Sequence, residues 1–177
     1  LVLSAENNNF DDRDDLLLKT RNLTSSLQRT AFEAGKVTTE EAAPRPAQLV
    51  SNYLPLLIGT SHEGNSAPYT ELISGVTSLP SAMAVGAAWS SEAAKMVGEI
   101  AGYELSQLGI NLLLGPNLDV LQHPQLSNPG DPGVRSFGGH QYWVSELGRS
   151  YVSGVHSGSE GRIAVVAKSF PGTGDAD

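Results

Sequence analysis

The feature that most constrains the fold is an alternation of short apolar runs with longer amphipathic segments. The apolar runs lie at residues 1–5, 55–61, 110–115 and 163–167, and the amphipathic segments at 14–34, 90–108 and 144–155. A short apolar run bounded by Gly, Pro or polar residues is typical of a buried strand. Strands that alternate with helices form parallel βαβ units with right-handed crossovers. The sequence therefore predicts an α/β fold. Its four units fit half of a (β/α)8 barrel or a small open sheet, because a full barrel needs about 250 residues.

Local signals mark where a helix begins and where long connections run. Ser90 is expected to cap the second helix and Gly109 to end it. The segment 36–52 is expected to be a connection. Residues 66–88 and 121–141 are rich in Ser, Pro and Gly and are expected to form irregular loops. Loops of this length in compact domains are often functional.

Composition excludes several classes of protein. The 177 residues carry a formal net charge of -8, which argues against nucleic acid as a partner because a phosphate-binding surface needs clustered Lys and Arg. There is no cysteine, so neither disulfides nor thiolate metal sites are predicted. No run is long enough for a membrane span, and no signal peptide is visible. Because residue 1 is a Leu inside an apolar run, we expect the natural start to be missing, and localisation cannot be read.

Polar residues follow the apolar runs, where parallel α/β folds gather their functional groups. Glu63, with His62 before it, and Asp119 are candidates for lining a site; capping of the next helix or turn explains each about equally well. Lys168 directly follows an apolar run, so it must reach solvent or find an anionic or hydroxyl partner. Arg135 lies in a glycine-rich loop, where a solvated surface arginine is an equally good interpretation.

Other motifs that carry chemistry are missing from the sequence. The four histidines do not have the spacing of metal ligands, and they are interpreted as loop or surface residues. Neither a dinucleotide-binding G-x-G-x-x-G after a strand nor a phosphate-binding loop is present. No metal and no cofactor are therefore predicted.

Five stretches together resemble glycoside hydrolase family 3, especially its β-N-acetylhexosaminidase branch. Residues 168–175, K-S-F-P-G-T-G-D, are similar to the family's K-H-F-P-G-H-G-D, and residues 55–64 to its P-L-L-I-A-V-D-Q-E-G. Residues 79–83 match L-P-S-A-M, residues 109–120 resemble G-I-N-L followed by V-L-D-V, and residues 134–138 resemble E-R-S-F-G. The motifs occur in the family's order and span nearly the whole chain.

The resemblance implies a fold more specific than alternation alone predicts. The family's amino-terminal domain is a (β/α)8 TIM barrel, and residues 1–5 fit its second strand. The chain is then expected to be a partial domain over residues 1–177 that covers roughly strands 2 to 5. Such a half-barrel would have the missing carboxyl-terminal half as a partner.

The resemblance also implies a sugar-binding site. Arg135 and Lys168 match residues that bind hydroxyls of the sugar in the family's first subsite. Ser61 stands where the family has an aspartate, and Ser169 where it has a histidine. A serine cannot equal the charge-assisted hydrogen bonds of a carboxylate, so these two serines are expected to alter sugar binding.

The implied activity is hydrolysis of β-linked glycosides similar to N-acetylglucosaminides. The family uses a retaining mechanism, and its nucleophile and acid/base would lie beyond residue 177, so no catalytic residue is expected in this chain. The isolated chain is expected to be inactive. Two alternatives remain: a non-catalytic carbohydrate-binding relative, suggested by Ser61 and Ser169, and a half-barrel that self-associates through unpaired strand edges.

Overall fold

A computed structural model describes residues 1–10, 14–35, 53–64, 70–123, 133–170 and 172 of the chain. Its elements are, in chain order, α1 (Leu16–Ala34), β1 (Gly59–Thr60), α2 (Ala82–Ala87), α3 (Ser91–Gln107), β2 (Leu112–Asn117), a 3-10 turn (Gly133–Arg135), α4 (Gln141–Gly158) and β3 (Ala164–Lys168). The connection expected over 36–52 lies outside the described residues.

The strands form a parallel sheet in which β1, β2 and β3 follow one another in chain order. Gly59 is aligned with Leu112 at the start of the β1–β2 pair. Val2 makes a parallel bridge to Gly59 of β1. The strand predicted over 1–5 is therefore reduced to one bridge, which lies beside β1 and precedes it in the chain. The α/β class with a parallel sheet is confirmed.

The strand predicted over 55–61 is also shorter than expected, because side chains satisfy the backbone that precedes β1. Asn111 Oδ1 accepts a hydrogen bond from the backbone N–H of Ile58 at 2.7 Å, and Asn111 Nδ2 donates to the Leu56 carbonyl at 2.9 Å. Gln28 Nε2 donates to the same carbonyl, and its Oε1 accepts from the Leu56 N–H. Two side-chain amides thus replace a neighbouring strand here.

Serine caps begin two of the helices. Ser90 Oγ accepts a hydrogen bond from the Ala93 N–H at the start of α3, as predicted. The prediction of an irregular loop over 66–88 is wrong at its end, because α2 begins after Ser81, which caps it in the same way. α2 has only six residues and no recognisable apolar period, so its sequence resembles a loop.

Glycines allow α3 and α4 to pack closely. A Cβ at Gly98 would lie 2.1 Å from the backbone oxygen of Tyr151, and one at Gly158 would lie 2.0 Å from that of Glu99. Neither distance is possible for a real side chain. The backbones of the two helices are therefore in direct contact, which fixes α4 relative to the strands that it connects.

The hydrophobic core lies between the sheet and these helices. Leu113 contributes from β2, Ile58 and Ile163 from the positions directly before β1 and β3, and Leu105 and Leu147 from α3 and α4. All five are almost completely buried. Because the strands are parallel, their carboxyl ends lie on the same side of the domain.

The outer edges of the sheet are exposed. Val166 on β3 is 45% exposed, and Leu1 and Val2 at the opposite edge are 58% and 49% exposed. The described residues provide no further strand beside either edge. Within the described part of the chain, no helix is both long and apolar enough to cross a membrane.

Candidate functional site

A buried carboxylate and a lysine join the first and last strands of the sheet. Glu63, three residues after β1, forms an ion pair with Lys168 at the end of β3. The Glu63 side chain is 4% exposed and that of Lys168 is 32% exposed. Glu63 Oε2 has no hydrogen-bond partner among the residues that the structure describes. A Cβ at Gly115 would lie 3.3 Å from Glu63 Cγ, so the absence of a side chain there leaves room for the glutamate.

The end of β2 carries a second polar group, formed by two buried side chains. Asn117 Nδ2 donates to Asp119 Oδ2 at 3.1 Å, and Asn117 Oδ1 accepts from the Asp119 N–H at 2.9 Å. Asn117 is 4% exposed and Asp119 is 6% exposed. The Leu118 N–H donates to the Lys168 carbonyl. This polar turn therefore lies directly beside the ion pair.

The Arg-Ser-Phe-Gly segment is attached to the same turn. The fully buried Ser136 donates from Oγ to the Asp119 carbonyl at 2.8 Å and accepts from the Gly138 N–H at 3.2 Å. Phe137 is buried, and a Cβ at Gly86 on α2 would lie 1.9 Å from its backbone oxygen. The segment is thus held between the end of β2 and α2.

These elements enclose one crevice at the carboxyl ends of the strands. Glu63, Asn117 and Arg135 provide its polar groups, and Leu79 and Tyr151 are among its apolar and aromatic walls. Tyr151 is buried, and its burial together with the negative charge of Glu63 raises the pKa of its hydroxyl. The crevice thus combines ionic groups with an apolar wall.

A close backbone approach joins two of the motifs in the crevice wall. A Cβ at Gly64 would lie 2.2 Å from the Pro80 backbone oxygen, and Gly64 has a positive φ of 75°. Only glycine suits this position. Gly64 of the Glu-Gly stretch is therefore in contact with residues 79–80 of the Leu-Pro stretch.

The structure brings some of the predicted site residues together and separates others. Arg135 lines the crevice with Glu63, and Lys168 is paired with Glu63. Asp119 is hydrogen-bonded to Asn117, which also lines the crevice. Ser169 is exposed and Ser61 is half-buried. Neither serine is among the described residues that line the crevice, and their role in sugar binding stays a prediction.

His62 lines a different crevice from its neighbour Glu63. It is 2% exposed, forms an antiparallel bridge with Thr70, and lines a separate crevice with Thr77. His62 lies outside the named strands and helices, as expected for a loop residue, but it is buried, so the interpretation as a surface histidine is wrong. Burial lowers the pKa of His62 to about 4, against the opposing charge of Glu104.

Sequence reasoning missed three residues that shape the site. Tyr151 was predicted only as part of a helical stripe, and its position beneath Glu63 depends on helix packing that no local pattern reveals. Gly86 lies in a helix that was predicted as loop. Ser136 could have been found, because it lies inside the Arg-Ser-Phe-Gly motif next to Arg135.

Comparison with known proteins decides the family. The model of the glycosyl hydrolase family 3 N terminal domain matches residues 13–177. The chain belongs to glycosyl hydrolase family 3. The resemblance read from its motifs is confirmed, and the fold of family 3 accounts for a sheet whose strands follow chain order.

Several proteins are similar to this chain over most of its length. Beta-hexosaminidase A of Pseudoalteromonas piscicida is 31% identical over 78% of this chain and 23% of its own length. A β-N-acetylglucosaminidase structure from Paenibacillus sp. str. FPU-7 is 36% identical, with a TM-score of 0.72 over 90% of this chain and 26% of its own. NagZ of Neisseria gonorrhoeae is 25% identical, with a TM-score of 0.70 over 98% of this chain and 43% of its own. The chain therefore spans less than half of each of these relatives.

Proposed function

We propose that the chain is a partial family 3 barrel domain over residues 1–177 that corresponds to strands 2 to 5 of a (β/α)8 barrel. The parallel order Val2, β1, β2 and β3 supports this proposal, because successive strands are neighbours in such a barrel. The exposed sheet edges also support it, since the remaining strands of a barrel would cover them.

The proposed role of the crevice is to hold one sugar through charged hydrogen-bond donors. Arg135 and Lys168 would donate to sugar hydroxyls, while Glu63 keeps the Lys168 ammonium at the crevice. Ser61 and Ser169 would contact remaining hydroxyls. Hydrogen bonds from charged groups are worth about 1.5–3 kcal/mol each, so these two cations would supply most of the polar binding energy.

The observation that carries the proposal is the Glu63–Lys168 ion pair, whose carboxylate lines a crevice that Arg135 also lines. A partly exposed ammonium beside a buried carboxylate retains donors for a ligand, because one ion pair does not use all three of its protons. Neutral polyhydroxylated ligands match such donors.

The proposed reaction of the protein that contains this chain is retaining hydrolysis of β-linked glycosides similar to N-acetylglucosaminides. Retaining hydrolysis needs a nucleophile and an acid/base. Glu63 is paired with Lys168, and Asp119 is bound by Asn117, so both carboxylates serve to build the site. The nucleophile and the acid/base would therefore come from outside residues 1–177.

The test compares the natural-length protein with the 177-residue chain on 4-nitrophenyl β-N-acetylglucosaminide. Turnover is expected for the natural-length protein and none for the isolated chain. Lys168→Met should lower kcat/KM at least about tenfold. The matched control, Lys95→Met, removes a lysine from a solvent-exposed pair and should change nothing. Turnover by the isolated chain would refute the assignment of catalytic groups.

A non-catalytic sugar-binding protein is the alternative, favoured by the serines at positions 61 and 169. It predicts that the natural-length protein binds N-acetylglucosamine in isothermal titration calorimetry without turnover of any aryl β-glycoside. Binding that is lost in Lys168→Met with no activity in the parent would support this alternative over the enzyme.

A further inference from the structure

Three aromatic side chains form a partly exposed cluster at the starts of α3 and α4. The ring centroids of Trp89 and Trp143 are 4.8 Å apart, and those of Tyr142 and Trp143 are 5.2 Å apart, both in edge-to-face geometry. Trp89 is 66% exposed and Tyr142 is 57% exposed. The chain has only two tryptophans, and both are in this cluster. We call these three residues the aromatic platform.

Trp89 has an unusual backbone conformation for its size. Its φ is 49°, in the left-handed region that bulky residues seldom adopt. Such conformations persist where the surrounding structure holds them, and they are concentrated at functional sites. The fold therefore keeps a large aromatic ring at the surface in a backbone position that glycine would occupy more easily.

The helix α2 connects the proposed sugar site to the aromatic platform along the chain. α2 forms one wall of the crevice through Ala82 and Val85. Trp89 lies two residues beyond the end of α2, and its backbone N–H donates to the Gly86 carbonyl at 3.1 Å. Gly86 lies against the Phe137 backbone, so the same short helix contacts the crevice and leads to the platform.

The platform is built on elements other than the outer strands of the sheet. Trp89 immediately precedes Ser90, the cap of α3, and Trp143 is in the first turn of α4. α3 and α4 are packed against each other through their glycines. The platform therefore sits at the amino ends of two neighbouring helices, whereas the unpaired edges are at Val2 and β3.

We propose that the aromatic platform binds a second sugar ring of a β-linked oligosaccharide whose first sugar occupies the crevice. A pyranose ring has a face of C–H bonds that packs on an aromatic ring and a rim of hydroxyls that stays in water. Exposed aromatic clusters near a polar crevice are suited to such amphipathic ligands. This inference rests on the proposed function, because it needs a sugar in the crevice.

The test measures equilibrium binding of two probes to the natural-length protein by calorimetry. The probes are N-acetylglucosamine and a thio-linked tri-N-acetylchitotriose analogue, which glycosidases do not cleave. The trisaccharide should bind wild type more tightly than the monosaccharide. Trp89→Ala should weaken trisaccharide binding about 3- to 10-fold and leave monosaccharide binding unchanged. Trp89→Phe, which keeps a ring, should restore part of the loss.

Two further variants control for folding and for general loss of aromatic surface. Tyr142→Ala should reproduce the selective loss from a different element. Tyr103→Ala removes an aromatic side chain on α3 that is 59% exposed outside the platform and should change neither affinity.

The outcomes separate this inference from the proposed function. Equal affinity of wild type for both probes would overturn the platform while leaving the sugar site intact. Parallel losses for both probes in Trp89→Ala would also overturn it, as would a changed oligomeric state in light scattering with sugar affinity preserved. If wild type binds neither probe, the proposed function fails and this inference fails with it.

Discussion

Glu63 and Lys168 form an ion pair whose carboxylate is buried and whose ammonium is partly open to solvent. This difference in burial between the two partners decides how strongly each substitution should lower the free energy of unfolding. Removing a lysine that pairs with a buried carboxylate leaves a desolvated charge without compensation. Removing the carboxylate leaves only a lysine that can extend into water.

We therefore expect Lys168→Met to lower the free energy of unfolding by about 3 kcal/mol, the lower end for a broken buried pair, because Lys168 is partly exposed. Glu63→Gln should cost about 1 kcal/mol, and the double variant should resemble Glu63→Gln alone. Urea denaturation of the natural-length protein measures all three. Additive effects of the two substitutions would contradict the coupling. Lys95→Met, in an exposed pair with Glu99, should change stability by less than about 1 kcal/mol.

Ser136 connects the Arg135 segment to the end of β2 through the Asp119 carbonyl. Ser136→Ala removes a fully buried hydroxyl that donates one hydrogen bond and accepts another. We expect a loss of about 1–3 kcal/mol in unfolding free energy and weaker sugar binding, because Arg135 loses its support. Ser145→Ala, the same change at an exposed position of α4, is the matched control. Calorimetric sugar affinity that is unchanged in Ser136→Ala would show that this hydrogen bond does not position Arg135.

Features that depend on a local sequence pattern, or on the need of one side chain for a partner, could be predicted from the sequence. The α3 cap at Ser90 follows from helix-end chemistry, and the need of Lys168 for a partner follows from its position after an apolar run. The identity of that partner could not be predicted, because Glu63 is brought to it only by the order of the strands. The contact between Trp89 and Trp143 is equally non-local, since it depends on the packing of α3 against α4.

Gly86 should be intolerant of a change that usually favours helices. Alanine stabilises an exposed helix by about 1 kcal/mol relative to glycine. At Gly86 the new Cβ would lie 1.9 Å from the Phe137 backbone oxygen, and overpacking against a backbone typically costs about 1–3 kcal/mol. We expect Gly86→Ala to be destabilising in urea denaturation and to weaken sugar binding by moving the Arg135 segment. Ala84→Gly on the exposed face of the same helix should cost about 1 kcal/mol without changing affinity. A stabilised Gly86→Ala variant would show that the contact is easily relieved.

His62 should make stability depend on pH. In the unfolded chain its pKa is near the ordinary value of 6.5, and burial lowers the folded-state pKa to about 4. Between these values the unfolded chain binds a proton that the folded protein does not, so stability falls as pH decreases from 6.5 to 4 and is unaffected above that window. The loss should reach about 3 kcal/mol at pH 4. Because carboxylates also titrate near pH 4, the measurement is the difference between wild type and His62→Gln in urea denaturation at pH 7, 5.5 and 4. The wild type should lose more stability than His62→Gln across this series, while His156→Gln, at an exposed histidine of α4, should follow the wild type. Parallel pH profiles for wild type and His62→Gln would mean that His62 can accept a proton without unfolding its crevice.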